Sequence, residues 1–482
     1  MRMPSRSRLV AIALGAIVVL RSPALGQQVA VASPEAQRLR ITTKSEAAGH
    51  HFWAGLSDTR NWFLSRATGH FDEALALDST LGLARVVRAF AAPGLTTDQR
   101  NAEAQRGIAA MTAASTGELV TALAFREAIT GNNRQAQRLF ETASQMLPGD
   151  PNIAFYAALF INDPTQQIPA LRTATERFPD DAAMYNTLAY QLWATGDHAG
   201  AFAAVKRYVD IAPDQPNSHD SYAELLQWDR RYSEALTHYR RAVAIDSNFV
   251  ESNIGMAEVL QVTGRGEEAR QQIHAAIARA PDPESRVNYE VTLAHSFTLD
   301  GRLTDAMAQF AVVARDAQAI GRKQIAAQAH RDMALADAVL GRGTDIARHL
   351  AVAAQTDTTE PAQQLYATAL AQGTSGDIAT ARQAAAQLAT VAKTDSNYTT
   401  WARVANAVIS LRENKPNDAL TELAGANPDR PMVQAIRAEA DRAIGNTVDA
   451  QALRRQLIDD PQINLYNGFV TFARVRAGRI KP

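Results

Sequence analysis

The side chains that could do chemistry in this chain are few, and each constellation lacks something its chemistry requires. His330-Arg331-Asp332 has the residue types that open a phosphoryl-transfer loop, where an aspartate accepts the proton of the attacking hydroxyl. Such a loop also needs an asparagine downstream to hold magnesium, and Asp337 occupies that place. The triplet lies in an alanine-rich stretch and reads as part of a helix. Gly264-Arg265-Gly266 and Gly341-Arg342-Gly343 resemble the start of a phosphate-cradling loop, in which missing side chains let backbone N–H groups reach an anion. Both lack the third glycine and the preceding strand, so they read as turns between paired helices. Gly373-Thr374-Ser375-Gly376 is no nucleophile elbow, because glycine does not sit two residues beyond the serine. It too reads as a hairpin turn.

Metal chemistry is equally thin. The ten histidines are scattered, and His50-His51 are adjacent, so on a helix they point in different directions. Zinc would want histidines on one face, as at i and i+4, and no HExxH appears. Asp180-Asp181 and Asp459-Asp460 lack the alternating oxygen ligands of a calcium loop and read as turn and helix-end residues. With no cysteine, thiolate zinc sites, a disulfide framework and a lipid-modified N-terminal cysteine are all excluded. No catalytic residue, metal or cofactor is therefore expected. Nucleic acid is disfavoured by a net charge of −1 and by interspersed charges. Arg474, Arg476, Arg479 and Lys481 form a small basic tail, which a helix C-terminus favours through its dipole.

The elements behind these residues are helices. Of 482 residues, 46% are hydrophobic and 21% charged, the balance of a folded chain. Alanine is abundant, and it loses no side-chain entropy in a helix. The first residues follow a different order. Arg2, Arg6 and Arg8 precede an apolar run from Leu9 to Leu20, and Ala24-Leu25-Gly26 places small residues where a signal peptidase cuts. Residues 1–26 are thus expected to be a secretory signal, with Ala32 as a second cleavage point and an uncleaved anchor as the alternative. Without the four arginines up to Gly26, 49 basic residues fall to 45 against 50 acidic, a balance of −5. No membrane span is expected after cleavage, and an exported chain, periplasmic or secreted, follows.

A repeat organises the rest. Gly196, Arg230 and Gly264 are spaced by 34 residues, and so are Ala201, Ala235 and Ala269. Val205, Tyr239 and Ile273 keep that spacing, as do Tyr208, Ala242 and Ala276, while Pro213, Ser247 and Pro281 close the units. Each unit reads as two helices: Tyr185, Leu188, Ala189 and Leu192 make one apolar face, a glycine turns the chain, and Ala201, Val205 and Tyr208 make the second. Fainter copies run through Gly55–Ser79, Gly131–Pro148, Gly301–Val313, Gly376–Ala381 and Gly445–Ala450. About eleven hairpins are expected at this period. The expected divisions are a flexible segment 27–45, degenerate hairpins 46–181, three regular units 182–283, degenerate hairpins 284–463 and a capping helix and tail 464–482. The 83–115 stretch is the least regular, with a helix expected over Thr97–Ala114.

The 34-residue unit with these small, glycine, alanine, bulky and proline landmarks resembles the tetratricopeptide repeat. The tryptophan often early in that repeat is replaced by Tyr185, His219 and Asn253. The resemblance implies an all-α fold, a right-handed α-solenoid of antiparallel helix pairs whose first helices line a concave groove. Carried onto the three regular units, it implies partner-binding positions at Asn186, Tyr190, Trp193, Asp220, Glu224, Gln227, Trp228, Glu251, Glu258 and Gln261. This set holds four carboxylates and no lysine or arginine, so the cationic clamp that some members use for C-terminal carboxylates is absent. An acidic, aromatic groove suits a neutral or basic peptide segment of another protein. The expectation is a non-enzymatic protein–protein interaction scaffold. The alternatives are an enzyme or enzyme subunit with a cryptic inter-repeat site, a glycan-binding solenoid of the cell envelope, and a structural spacer.

Overall fold

The computed structural model describes residues 37–461, 465 and 468–478. The expected signal, residues 27–36 and the cations Arg479 and Lys481 lie outside them. Among the described residues there are 25 α-helices and no strand. The first eight are α1 (Glu46–Arg60), α2 (Leu64–Leu77), α3 (Gly82–Ala91), α4 (Thr97–Ala110), α5 (Thr116–Ile129), α6 (Asn133–Met146), α7 (Pro151–Leu159) and α8 (Pro164–Arg177). The regular units supply α9 (Ala182–Ala194), α10 (His198–Ile211), α11 (Pro216–Trp228), α12 (Tyr232–Ile245), α13 (Glu251–Val262) and α14 (Gly266–Ala278). Then come α15 (Pro283–Leu299), α16 (Leu303–Ala319), α17 (Lys323–Leu340), α18 (Gly343–Thr356), α19 (Pro361–Ser375), α20 (Ile378–Thr394), α21 (Thr399–Arg412), α22 (Pro416–Leu423), α23 (Pro431–Ala443), α24 (Thr447–Ile458) and α25 (Gly468–Gly478). Each odd helix up to α23 packs antiparallel on the even helix that follows and against the next pair. The fold is a right-handed α-solenoid with twelve hairpins among the described residues, not the eleven or so expected, and a helix beyond them.

The columns read from the sequence form the seam of each pair. Ala201, Ala235 and Ala269 are fully buried, as are Val205, Ile273, Tyr208, Ala242 and Ala276. The faint copies behave alike: Ala67, Phe71 and Ala74, and Ala136, Phe140 and Ala143, have no exposed surface. After Pro281 the landmarks slip by three residues, with Gly301 and Ala306 lying 37 rather than 34 beyond Gly264 and Ala269. The longer α15, with 17 residues where α13 has 12, takes up the difference. Two boundaries differ from expectation. α4 stops at Ala110, because the chain turns at Met111. Gly373-Thr374-Ser375 is not a turn but the last residues of α19, and the chain reverses at Gly376-Asp377.

The segment before α1 is not a free tail where it is described. Leu39 N–H donates to Asp150 Oδ2 at 2.9 Å, and the backbone and hydroxyl of Thr42 donate to Glu118 at 3.0 and 2.7 Å. Thr43 and Lys44 both reach Asp78, at 2.7 and 2.8 Å. Burial alone would raise Asp78, but hydrogen bonds from Thr80, Lys44 and Thr43 outweigh it and hold the carboxyl well below the usual range.

The solenoid coils tightly enough for its first hairpins to touch its middle. Arg60 pairs with Asp181 at 2.5 Å, Tyr208 hydrogen bonds Asn61 at 3.3 Å, and the rings of Phe63 and Phe249 meet edge to face at 5.4 Å. Farther along, Arg322 donates to the Gly94 carbonyl at 2.9 Å and pairs with Glu284.

The turn column shows one unit under strain. Gly196 and Gly264 take φ of 86° and 75°, and Arg230, in the same column, takes 62°. A side chain at such φ costs about 1 kcal/mol, because Cβ crowds the following carbonyl. Arg230→Gly should therefore raise stability by up to roughly 0.6 kcal/mol after the added freedom of the unfolded glycine is subtracted. Urea unfolding of the two proteins measures it, and a midpoint that drops in the glycine variant would contradict the strain.

Candidate functional site

The inner helices of the regular units bring five of the ten expected residues into one cluster. Tyr190 on α9 donates its hydroxyl to Glu224 on α11. Ser252 on α13 donates to Asp220 at 2.6 Å. Tyr239 on α12 donates to Gln227 at 2.9 Å, and Gln227 donates on to Glu258 at 3.2 Å. The residues face one another across successive repeats because the 34-residue period returns each inner helix to the same face.

This floor is not an ionic surface. Asp220 and Glu258 are each pushed up to about 8, first by burial and then by neighbouring carboxylates, while hydrogen bonds from Ser252 and Gln227 oppose the rise. Glu224 is raised by burial against the pull of the Tyr190 hydrogen bond. Burial and the Glu224 charge push Tyr190 well above the usual phenol range. Asp220, Glu224 and Glu258 are half-buried, and Gln227 beside them is buried. Carboxyls so placed hold protons near neutral pH.

The other five residues lie around the cluster, outside its hydrogen bonds. Trp193 stacks on His198 of the paired helix with ring centres 4.0 Å apart, and it also touches Trp228 at 5.8 Å. Trp228 meets Tyr190 edge to face at 5.7 Å. These rings pack between helices. Asn186 is buried, and Glu251 lies exposed at the rim. Gln261 bridges to α15, donating to Asp300 at 2.6 Å and accepting from Ser296 at 2.7 Å.

The C-terminal segment was expected to cover the last pair. It packs on α23 and α24, but it also turns back along the concave face to α15 and α17. Gln227 donates to the Pro461 carbonyl at 3.3 Å, and the Leu465 N–H donates to the Glu258 carboxyl. Arg476 makes a two-pronged bond to Glu439 at 2.7 and 2.6 Å and a third to Thr374 Oγ1 at 2.7 Å. Phe469 joins Tyr366 and Trp401 at 4.9 and 5.9 Å, and Phe472, Ala473 and Ala477 are buried. α25 begins hard against Asp332: a Cβ on Gly468 would lie 2.2 Å from Asp332 Oδ1, so a larger residue there would have to displace the Asp332 carboxyl. The His330-Arg331-Asp332 triplet is thus structural, with Arg331 fully buried and donating to Gln328 at 2.9 Å. Two cavities flank α25. One of about 610 Å³ is lined by Thr374, Arg412, Glu439 and Arg476, and one of about 640 Å³ by Gln261, Asp300, Ile458 and Arg474.

The capping helix was expected, but its return along the concave face was not. Arg474 and Arg476, expected as a small basic tail at a helix C-terminus, each keep only 9% of the side chain exposed. The signal was present: Phe469, Phe472, Ala473 and Ala477 fall at helical spacing and mark an apolar face.

Residues 229–289 match the family model of the tetratricopeptide repeat. That stretch runs from the α11–α12 turn into α15, over the most regular part of the array. No curated protein matches the chain in sequence. Among solved structures, yeast Tom70 is similar at 13% identity and TM-score 0.44, over 85% of this chain and 96% of its own. A thermophilic TPR protein from Thermus thermophilus is similar at 21% identity and TM-score 0.32, over 36% and 97%. MamA is similar at 14% identity and TM-score 0.29, over 33% and 94%. The fold assignment rests on the helix pairing itself. A solenoid of helix pairs presents an extended concave surface of the kind used for binding. Among the described residues, no helix is long and apolar enough to cross a membrane.

The channel floor makes stability depend on pH in a defined direction. Asp220 and Glu258 lie at about 8 when folded, against about 4 in an unfolded chain. Between these values the folded channel holds protons that the unfolded chain has released. Their contribution is full below about pH 4 and is lost as pH rises toward about 8. Glu258→Gln fixes the neutral form. Its melting temperature should fall less than the wild type's over this upper range, as followed by circular dichroism. Parallel curves for the two proteins would show that Glu258 is ionised throughout.

Proposed function

We propose that this chain is a non-enzymatic scaffold, exported to the periplasm or beyond, whose concave groove receives a helical, neutral-to-basic segment of another protein. The observation that carries this reading is α25 itself. An amphipathic helix laid in a groove is a recurring recognition mode, read through anchors on one helix face. Here the anchors are Phe469 and Phe472 on an aromatic floor and Arg476 on Glu439. Arg474 adds a second cation within range of Glu258. The chain's own terminus thus supplies an example of the chemistry the groove accepts: aromatic, small and basic. Under this reading α25 occupies the groove until a partner helix replaces it. The charge balance after signal removal and the interspersed cations support a protein partner over nucleic acid.

A charge exchange tests the seating. Arg476→Glu should release α25 from Glu439, so that a labelled peptide of residues 459–478 binds the variant at least about tenfold more tightly than the wild type, in which the tethered helix competes. Adding Glu439→Arg to Arg476→Glu should restore the internal pair and drive the wild-type peptide off again. Fluorescence anisotropy reads all three proteins. Equal peptide affinity in all three would rule out the groove as a helix receptor.

A further inference from the structure

The first hairpin carries a constellation that neither the groove nor the repeat explains. His51 on α1 faces His70 and Glu73 on α2. His51 Nδ1 lies 2.7 Å from Glu73 Oε2, and His70 Nδ1 lies 3.8 Å from the same oxygen. One ligand atom from each of the three falls within 4.8 Å of the others. His70 and Glu73 share a helix face through their three-residue spacing.

We propose that His51, His70 and Glu73 bind one divalent transition-metal ion. Three observations carry this. First, His70 Nδ1 is buried and has no hydrogen-bond partner. A buried acceptor left unmatched is costly, and a cation would satisfy it. Second, the other ring nitrogen is already directed: His70 Nε2 faces Asp58 Oδ2 at 3.7 Å, and Arg66 fixes Asp58 through bonds of 2.6 and 2.7 Å. A carboxylate behind a histidine holds the proton on the far nitrogen and leaves the near lone pair free for a metal. Third, the spacing is right. Zinc with bonds of about 2.0–2.1 Å holds its ligand atoms about 3.3 Å apart. The 2.7 and 3.8 Å distances to Glu73 bracket that value, the two imidazole nitrogens lie within 4.8 Å of each other, and the 61% exposed Glu73 has room to adjust.

Two imidazoles and one carboxylate suit zinc, cobalt, nickel or copper and disfavour magnesium and calcium, which take oxygen ligands. Three protein ligands leave a coordination position for water. The ion would join α1 to α2 beside the turn that reaches Asp181, Tyr208 and Phe249. His50 takes no part, since it points to Glu46 at 3.8 Å and is largely exposed.

The test uses the full chain, freed of metal by a chelator and titrated with cobalt chloride. One equivalent should bind with the visible absorption of a four- or five-coordinate ion, and zinc should displace it. His51→Ala, His70→Ala and Glu73→Gln should each weaken binding at least about tenfold, while His50→Ala leaves it unchanged. Metal should also raise the melting temperature of the wild type and not that of the His51→Ala/His70→Ala protein, because a ligand held by the folded form alone stabilises it. Circular dichroism checks that each variant is folded. Failure of the wild type to take up one equivalent, or unchanged affinity in the double variant, would overturn the site and leave a plain histidine–glutamate ion pair.

Discussion

Two helices joined by a short turn pack at a distance set by the smallest side chain between them. In nine of the twelve pairs that side chain is an alanine in the first turn of the second helix. Ala67, Ala136, Ala201, Ala235, Ala269, Ala306, Ala381, Ala419 and Ala450 hold the position, and all are buried. A methyl group there lets each pair close, and a closed pair bends the array by the same step each time. The accumulated bend brings the turn after α1 onto Asp181 and Tyr208. It also narrows the concave face into a channel. A wider solenoid would leave Asp220, Glu224 and Glu258 in open water as ordinary carboxylates. Half-buried here beside one another, they find protonation the cheaper state.

The same narrowing explains how a terminal helix can be held from several sides. α25 meets α15 and α17 on one wall and α23 and α24 on another. Its apolar residues bury against the aromatic floor, while Arg476 finds a carboxylate and a hydroxyl at once. A guanidinium suits this place because its planar fork matches the Glu439 carboxylate in two bonds. Breaking one partner of so enclosed a pair is costly, since the other is left charged and poorly hydrated. Exchanging both keeps the charges matched.

Much of this was written locally and could be read from the chain. Alanine and bulky residues at the 34-residue period gave the seam, and glycine gave the turns. Three pairs keep the hairpin but lose this landmark, because the seam alanine is replaced. Arg100, Gln167 and Ile346 occupy its place in α4, α8 and α18. Two of them do a different job. Arg100 donates to the Ala89 and Phe90 carbonyls at 3.0 and 2.7 Å, and Gln167 to those of Ala158 and Leu159 at 3.2 and 2.9 Å. Each ties the end of the preceding helix, whose last carbonyls have no partner within it. The groove was harder to read because its state depends on distant residues. No local pattern reveals that Pro461 and Leu465 lie on Gln227 and Glu258, more than two hundred positions away. His51 and His70 were passed over for a related reason: neighbours along the chain were weighed, whereas the partners face each other across a hairpin.

An occupant tethered to its own groove sets a threshold for any competitor. A short link gives α25 an effective concentration on the order of millimolar. A partner helix present at about a micromolar must therefore bind about a thousandfold more tightly than α25 does, an advantage of roughly 4 kcal/mol. The channel shows where such an advantage lies. α25 has 11 residues and leaves a cavity of about 610 Å³ on one side and about 640 Å³ on the other. A longer or bulkier helix would reach Arg412 in the first cavity and Asp300 in the second, both beyond the contacts seen for α25. Apolar side chains placed in these spaces gain roughly 1.5–3 kcal/mol each, so two or three suffice. Under the proposed exchange, the contacts of α25 keep the groove filled, and the unfilled space beside it is where a better-fitting segment would gain its advantage.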